Sequence, residues 1–317
     1  MDLLLYGAKR LGLAIVICFI AMTMLFIAIR AIPGDPATML LGSRATPELT
    51  ARLRAEMGLD QPVWVQVLTY FANLAQGNLG TDLFAKRPVV DVVLEALPST
   101  LALTFAGIGW AALVGIPLGC YSAIRREGLV DKLTSIASVG TISIPPLVLS
   151  IYLLLFFAIK VRLFPVIGAG EDGQILDQLW HLVLPAFAVG LGWVGYLSRL
   201  VRASMIEVMS ENHVRTARAF GLPPTKIVLH YALRLAVIPT VTMLGISIGS
   251  LLSTAVLVEN IFSRPGLGRM ITAAAEVRNF PLLQGGVFAS VLLFAIAMPI
   301  SDLVNAWLDP RVRSSLK

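Results

Sequence analysis

Six stretches of this chain contain no Asp, Glu, Lys, Arg or His: Leu11–Ile29, Pro98–Ile124, Leu133–Ile159, Leu182–Ser198, Leu235–Val258 and Leu282–Ser301. A helix needs about 20 mostly apolar residues to cross the hydrocarbon core of a bilayer. The pattern therefore predicts six transmembrane helices. The shortest window, Leu182–Ser198, reaches that length if it extends back to Leu179 with His181 at the interface. The first window is longer than the apolar core of about 7–15 residues in a cleaved signal peptide. Arg30 and Pro33 follow it without a clean small-x-small site, so it is read as a retained span.

The polar segments between the windows carry their own signals. In the long segment after the first span, Thr46-Pro47 supplies an N-cap and a proline at the first helical position. Gly58 can end that helix and Pro62 can start another, whose Val63, Val67, Tyr70, Phe71 and Leu74 form one apolar face. Gly77–Gly80 reads as a turn, and Pro88–Leu97 as a short helix leading into the second span. The segment is a helical cap on the membrane surface, a landing surface for an external partner, or both. Residues 1–30 thus form a lead and first span, 31–97 an outer helical segment, 98–302 a five-helix core with a cytoplasmic loop at 199–234, and 303–317 a tail.

Composition agrees with this reading: 57% of the residues are hydrophobic and only 14% charged, where soluble domains carry about 25% charge. The net charge of +6 follows from topology. With a cytoplasmic N-terminus, Lys9, Arg10, Arg125, Arg126, Lys132, the six basic residues of 199–234 and Arg311, Arg313 and Lys317 all fall inside. The short outer loops hold only Lys160, Arg162, Arg264, Arg269 and Arg278. Inner loops of multi-pass proteins carry this excess of Lys and Arg, so both termini are placed inside. Nothing calls for nucleic acid. Cys18 and Cys120 lie in apolar windows and read as small hydrophobes. The ten Met and three His form no metal-ligand cluster in a span.

Enzyme signatures fail on context. Gly245-Ile246-Ser247-Ile248-Gly249 fits G-x-S-x-G, but that elbow needs a strand-turn-helix setting and a partner His. Within a span the same residues fit G-x-x-x-G, which lets helices approach closely in lipid. No G-x-x-x-x-G-K-[ST] phosphate loop is present, so the chain has no ATPase site of its own. No ionisable group lies in the six windows, which argues against proton coupling. Energy for transport would then come from another subunit, with an ATP-independent secondary transporter or channel as the alternative.

The most informative polar segment is the loop Arg199–Arg234. Glu211 and Arg215 are spaced as a favourable i,i+4 pair. Val214, Ala217 and Gly221 share one face, and Arg215 and Arg218 another. Gly221 suits a helix C-terminus and Pro223-Pro224 the start of a second helix, with Val228, Ala232, Leu235 and Pro239 along one side as it rises into span five. Such a helix can lie in a partner's groove or rest its arginines on anionic lipid.

The run Arg215-Thr216-Ala217-Arg218-Ala219-Phe220-Gly221-Leu222, with Ala232-Leu233-Arg234 and Pro239 beyond it, resembles the EAA loop of importer-type ABC permeases, and within them the dipeptide, oligopeptide and nickel permease family. Pro33–Ala37, Met57–Gln66, Gly77–Leu83, Ile261–Arg269 and Leu308–Arg313 extend the resemblance over nearly the whole chain. Arg215 replaces the glutamate of the general triplet, so no role of that carboxylate carries over, and Asn78 stands where an acidic residue is usual. The resemblance implies an all-α polytopic membrane protein of the type I importer permease fold. It implies a second permease subunit, usually non-identical, two cytoplasmic ATPase subunits that hold ATP and Mg, and an extracytoplasmic substrate-binding protein. It also implies that Thr216–Gly221 belongs to a coupling helix, with Arg215 and Arg218 as candidate contacts to the ATPase. No cofactor is expected in this chain. Peptides, a nickel chelate, glutathione or a small glycan are all compatible cargo.

In span five, Thr240, Met243, Ser247, Ser250 and Thr254 fall on one side at 100° per residue. Met243, Ser247, Ser250 and Thr254 are therefore expected to line a weakly polar path. The competing reading is that the hydroxyls bond to carbonyls one turn earlier.

Overall fold

A computed structural model describes residues 3–31, 36–41, 45–56 and 58–308. Pro33, Gly34 and Asp35, Met57 and the tail beyond Leu308 lie outside the described residues, and with them most of two motifs of the family resemblance. Among the described residues the chain is helical, with one isolated bridge between Thr81 and Pro88. The helices are α1 (Leu3–Ala31), α2 (Pro36–Leu41), α3 (Pro47–Glu56), α4 (Val63–Ala75), α5 (Val89–Ile124), α6 (Leu129–Ser143) and α7 (Pro146–Leu153). There follow α8 (Ile175–Met209), α9 (Asn212–Ala219), α10 (Pro224–Lys226), α11 (Leu233–Ala236), α12 (Ile238–Ile261), α13 (Leu267–Glu276) and α14 (Phe280–Leu308). Two wider π-helical turns, Leu154–Lys160 and Ile227–Ala232, continue α7 and lead into α11.

Among the described residues, four helices are long and apolar enough to span a membrane, or up to six if each of two bent pairs is one span. The third window is not one straight rod. Leu129–Ser143 and Pro146–Lys160 meet at 97°. Pro145 and Pro146 explain the break: a proline disfavours helical geometry in the residue before it, and Ile144 is extended with ψ 117°. The fifth window bends by 40° between Pro224–Ala236 and Ile238–Gly245, where Pro239 cannot donate an amide. Pro88–Leu97 is not a separate helix either, because α5 runs on through Pro98.

The chain divides into two compact units. One joins Pro98–Arg269 with the described residues of Met1–Gly7 and Ile296–Lys317. Its core is built from Leu103 of α5, Leu153 of α7, Leu184 and Val189 of α8, and Leu251 and Val258 of α12. Trp110 stacks on Phe187 at 4.7 Å and donates its indole N–H to the Ala186 carbonyl at 2.9 Å. Outward-facing Leu113, Leu133 and Ile136 are exposed, as expected of side chains that meet lipid or another apolar subunit.

The other unit joins Ala8–Leu97 with Met270–Ala295. Met22 and Phe26 of α1, Val67 and Tyr70 of α4, and Phe288 of α14 form its core. The Thr46 hydroxyl accepts the Leu49 amide at 3.3 Å, capping α3 as its sequence predicts. Gly58, at φ +65°, ends that helix. The Asp82 carboxylate accepts the amides of Phe84 and Ala85 at 2.8 and 3.0 Å and the Asn279 side chain at 2.8 Å.

Candidate functional site

The loop singled out by sequence is a short amphipathic helix on a packed base. α8 ends at Met209, Ser210 and Glu211 make the turn, and α9 begins at Asn212. Val214 and Ala217 are buried. They join Cys120 of α5, Val201, Met205 and Val208 of α8, and Ile227, Ala232 and Ala236 in one apolar cluster. Fully burying a valine side chain contributes roughly 1.5–3 kcal/mol, so Val214 fixes which face of α9 turns inward. The other face presents Arg215, Thr216 and Arg218, all exposed.

Glu211 does not pair with Arg215 as its spacing predicts. Its backbone caps α9, and its carboxylate lies 3.1 Å from His213 Nδ1. Arg215 is left exposed. The Arg218 guanidinium lies 4.0 Å from Met209 Sδ.

α9 stops because Gly221 adopts φ +73°. Its amide donates to the Arg218 carbonyl at 2.9 Å, and the Leu222 amide donates to the Ala217 carbonyl at 3.3 Å. This pair of bonds is the Schellman arrangement, which suits glycine at the left-handed position. Gly221 is therefore the turn itself, not part of the buried face with Val214 and Ala217. Pro223 and Pro224 start the next helix, as expected. Val228, Ala232, Leu235 and Pro239, expected along one side, do not share a buried face. Ile227, Ala232, Ala236 and Thr240 are buried, whereas Leu235 and Pro239 are exposed. The π turn at Ile227–Ala232 inserts one extra residue and shifts the register.

Phe220 received no role from the sequence pattern, yet it is 81% exposed. No described aromatic residue is more exposed. Its only sequence signal is an aromatic immediately before the turn glycine, off the face set by Val214 and Ala217.

The four residues of α12 expected to line a path are distributed unevenly. Ser247 is buried, Met243 and Thr254 are half-buried, and Ser250 is exposed. The Ser247, Ser250 and Thr254 hydroxyls donate to the carbonyls of Leu244, Ser247 and Ser250 at 2.6, 2.9 and 2.9 Å. The exposed strip of this helix is Ser250, Ser253 and Leu257.

Sequence reasoning also missed a buried carboxylate one residue beyond the fifth window. Glu259 accepts the Thr100 hydroxyl at 2.6 Å and the Gly268 amide at 2.8 Å, and Thr100 accepts the Leu267 amide at 2.8 Å. Arg264 is also buried, with Nη1 3.3 Å from the His181 carbonyl. Only when α5, α8 and α12 come together does this group explain the Ile261–Arg269 motif as a clamped turn.

Comparison with known proteins adds to this geometry. Residues 115–314 match the family described as binding-protein-dependent transport system inner membrane component, and residues 3–104 match the N-terminal region of such membrane components. The chain is 34% identical to the glutathione transport system permease protein GsiC of Escherichia coli (strain K12), covering 97% of this chain and 98% of that protein. It is 36% identical to the probable D,D-dipeptide transport system permease protein DdpB of the same strain, covering 95% of each. Among solved structures, an inward-facing MetNI methionine ABC transporter chain aligns with TM-score 0.58 at 18% identity, over 69% of this chain and 97% of that one. That likeness establishes the fold.

Proposed function

This chain belongs to the binding-protein-dependent transport system inner membrane component family, and from that premise we propose how it carries solute and where it receives work. It is a multi-pass permease subunit of an ABC importer. Its cargo is a short peptide or a similar small solute, since the permeases it resembles over nearly their full length are named for glutathione and for D,D-dipeptides. An extracytoplasmic binding protein delivers that cargo. A second permease subunit, non-identical to this one, completes the pathway. Two cytoplasmic ATPase subunits hold ATP and Mg, and both termini of this chain are cytoplasmic, as its basic loops suggest.

One observation carries the coupling assignment. α9 buries Val214 and Ala217 and turns Arg215, Thr216, Arg218 and Phe220 outward together. A short braced helix that exposes two arginines and an aromatic side chain suits a groove on another protein, because aromatic residues and arginine are enriched at interfaces. Arg215, Thr216, Ala217, Arg218 and Gly221 are thus assigned to the coupling helix, with Phe220 as its apolar anchor. α12 forms a wall of the solute path. Ser250 supplies its exposed hydroxyl, Met243 and Thr254 lie at its margins, and Ser247 braces the helix from behind.

The test is co-purification of the ATPases with a tagged permease carrying Arg215→Glu and Arg218→Glu. The expected result is loss of the ATPases while the protein stays in the membrane. Unchanged co-purification would reassign the arginines to lipid.

A further inference from the structure

We propose that Asp131 and Arg202 form a positioning clamp that makes α5, α6 and α8 move as one body when α9 is pushed; this rests on the coupling role of α9 given above. Arg202 lies on α8, about two turns before the turn into α9. Its Nε and Nη2 donate to both oxygens of Asp131, the latter at 2.7 Å. The same carboxylate accepts the Ser122 hydroxyl from the last turn of α5 and, at 2.9 Å, the Glu127 amide from the connecting turn. One buried side chain in the first turn of α6 therefore ties together two other helices and a loop. A bidentate guanidinium–carboxylate pair fixes orientation as well as distance.

The surrounding packing leaves little slack. At Gly119 of α5, a Cβ would stand 2.9 Å from Val201 Cβ and would collide with the Ser198 carbonyl of α8. Between α8 and α9 only Ser210 and Glu211 intervene, and both amides bond back to α8, at 3.0 and 3.1 Å. The other exit from α9 differs. It passes through a glycine turn, a π turn and the 40° bend at Val237 before α12 continues. The stiff route from the coupling helix therefore runs into α8 and through Asp131 to α5 and α6, while the route to α12 contains the joints.

The test uses the assembled complex with its ATPases. Cys18→Ala and Cys120→Ala remove the native thiols, and Ile136→Cys and Leu257→Cys place spin labels on exposed sites of α6 and α12. Pulsed electron paramagnetic resonance compares the label separation in nucleotide-free and ATP–vanadate-trapped complexes. We expect a trapped-state shift in the parent complex and its loss in Asp131→Asn, with basal ATP hydrolysis and co-purification retained. The exchanged pair Asp131→Arg with Arg202→Asp should restore the shift, which a merely space-filling role would not do. A full shift in Asp131→Asn overturns the clamp, as does an assembled exchanged pair that stays silent. No ATPase co-purifying with the parent complex would instead overturn the coupling reading beneath it.

Discussion

At the scale of single residues, Gly221 shows how one torsion sets the shape of a larger surface. Nothing lies within 4 Å of where its Cβ would stand, so the requirement for glycine is torsional. At φ +73° an ordinary L-residue is strained by about 1–2 kcal/mol. Asparagine tolerates this region better than a β-branched side chain does. Gly221→Val is therefore expected to lower the ratio of solute transported to ATP hydrolysed, with Gly221→Asn close to the parent. Equal ratios for all three proteins would show that the turn does not set the position of α9. The glycine was legible in sequence because turn chemistry is local. Phe220 was not, because its exposure depends on how α9 is seated by Val214 and Ala217.

At the scale of elements, polar side chains pin the joints between helices. Asp82 holds the turn before α5 against Asn279, which immediately precedes α14. Burial alone would raise its pKa, but the Ala85 and Phe84 amides, the Asn279 side chain and the Lys86 charge together hold it below the usual carboxylate value. A depressed folded pKa contributes stability above the unfolded value of about 3.9, and that stability is lost as pH falls through the folded value. Thermal stability should therefore be level near neutrality and fall below about pH 4. Asp82→Asn should weaken that acid dependence, and an identical pH profile would remove Asp82 as its source. Sequence periodicity found the helices on either side of this joint, but not the joint, since positions 82 and 279 meet only after folding.

At the scale of the whole molecule, the permease assignment predicts that solute uptake follows ATP hydrolysis by partner subunits. An inactivating substitution in the ATPase nucleotide site should abolish uptake of a labelled dipeptide or glutathione by the reconstituted complex. Persistent uptake by this chain alone would establish the channel or secondary-transporter alternative. The sequence by itself determined the membrane class, the locations of the apolar segments, the basic loop at 199–234 and the capping of α3 and α9. Each of these depends on the bilayer's demand for apolar length or on hydrogen bonds between near neighbours, and both are written in consecutive residues. Tertiary structure decided the register shift before α12, the seating of Phe220, and the meeting of Asp131 with Arg202 and of Glu259 with Thr100. These depend on which helices pack together and on charges and hydroxyls that are costly to bury alone, so a polar residue read in isolation does not reveal its partner.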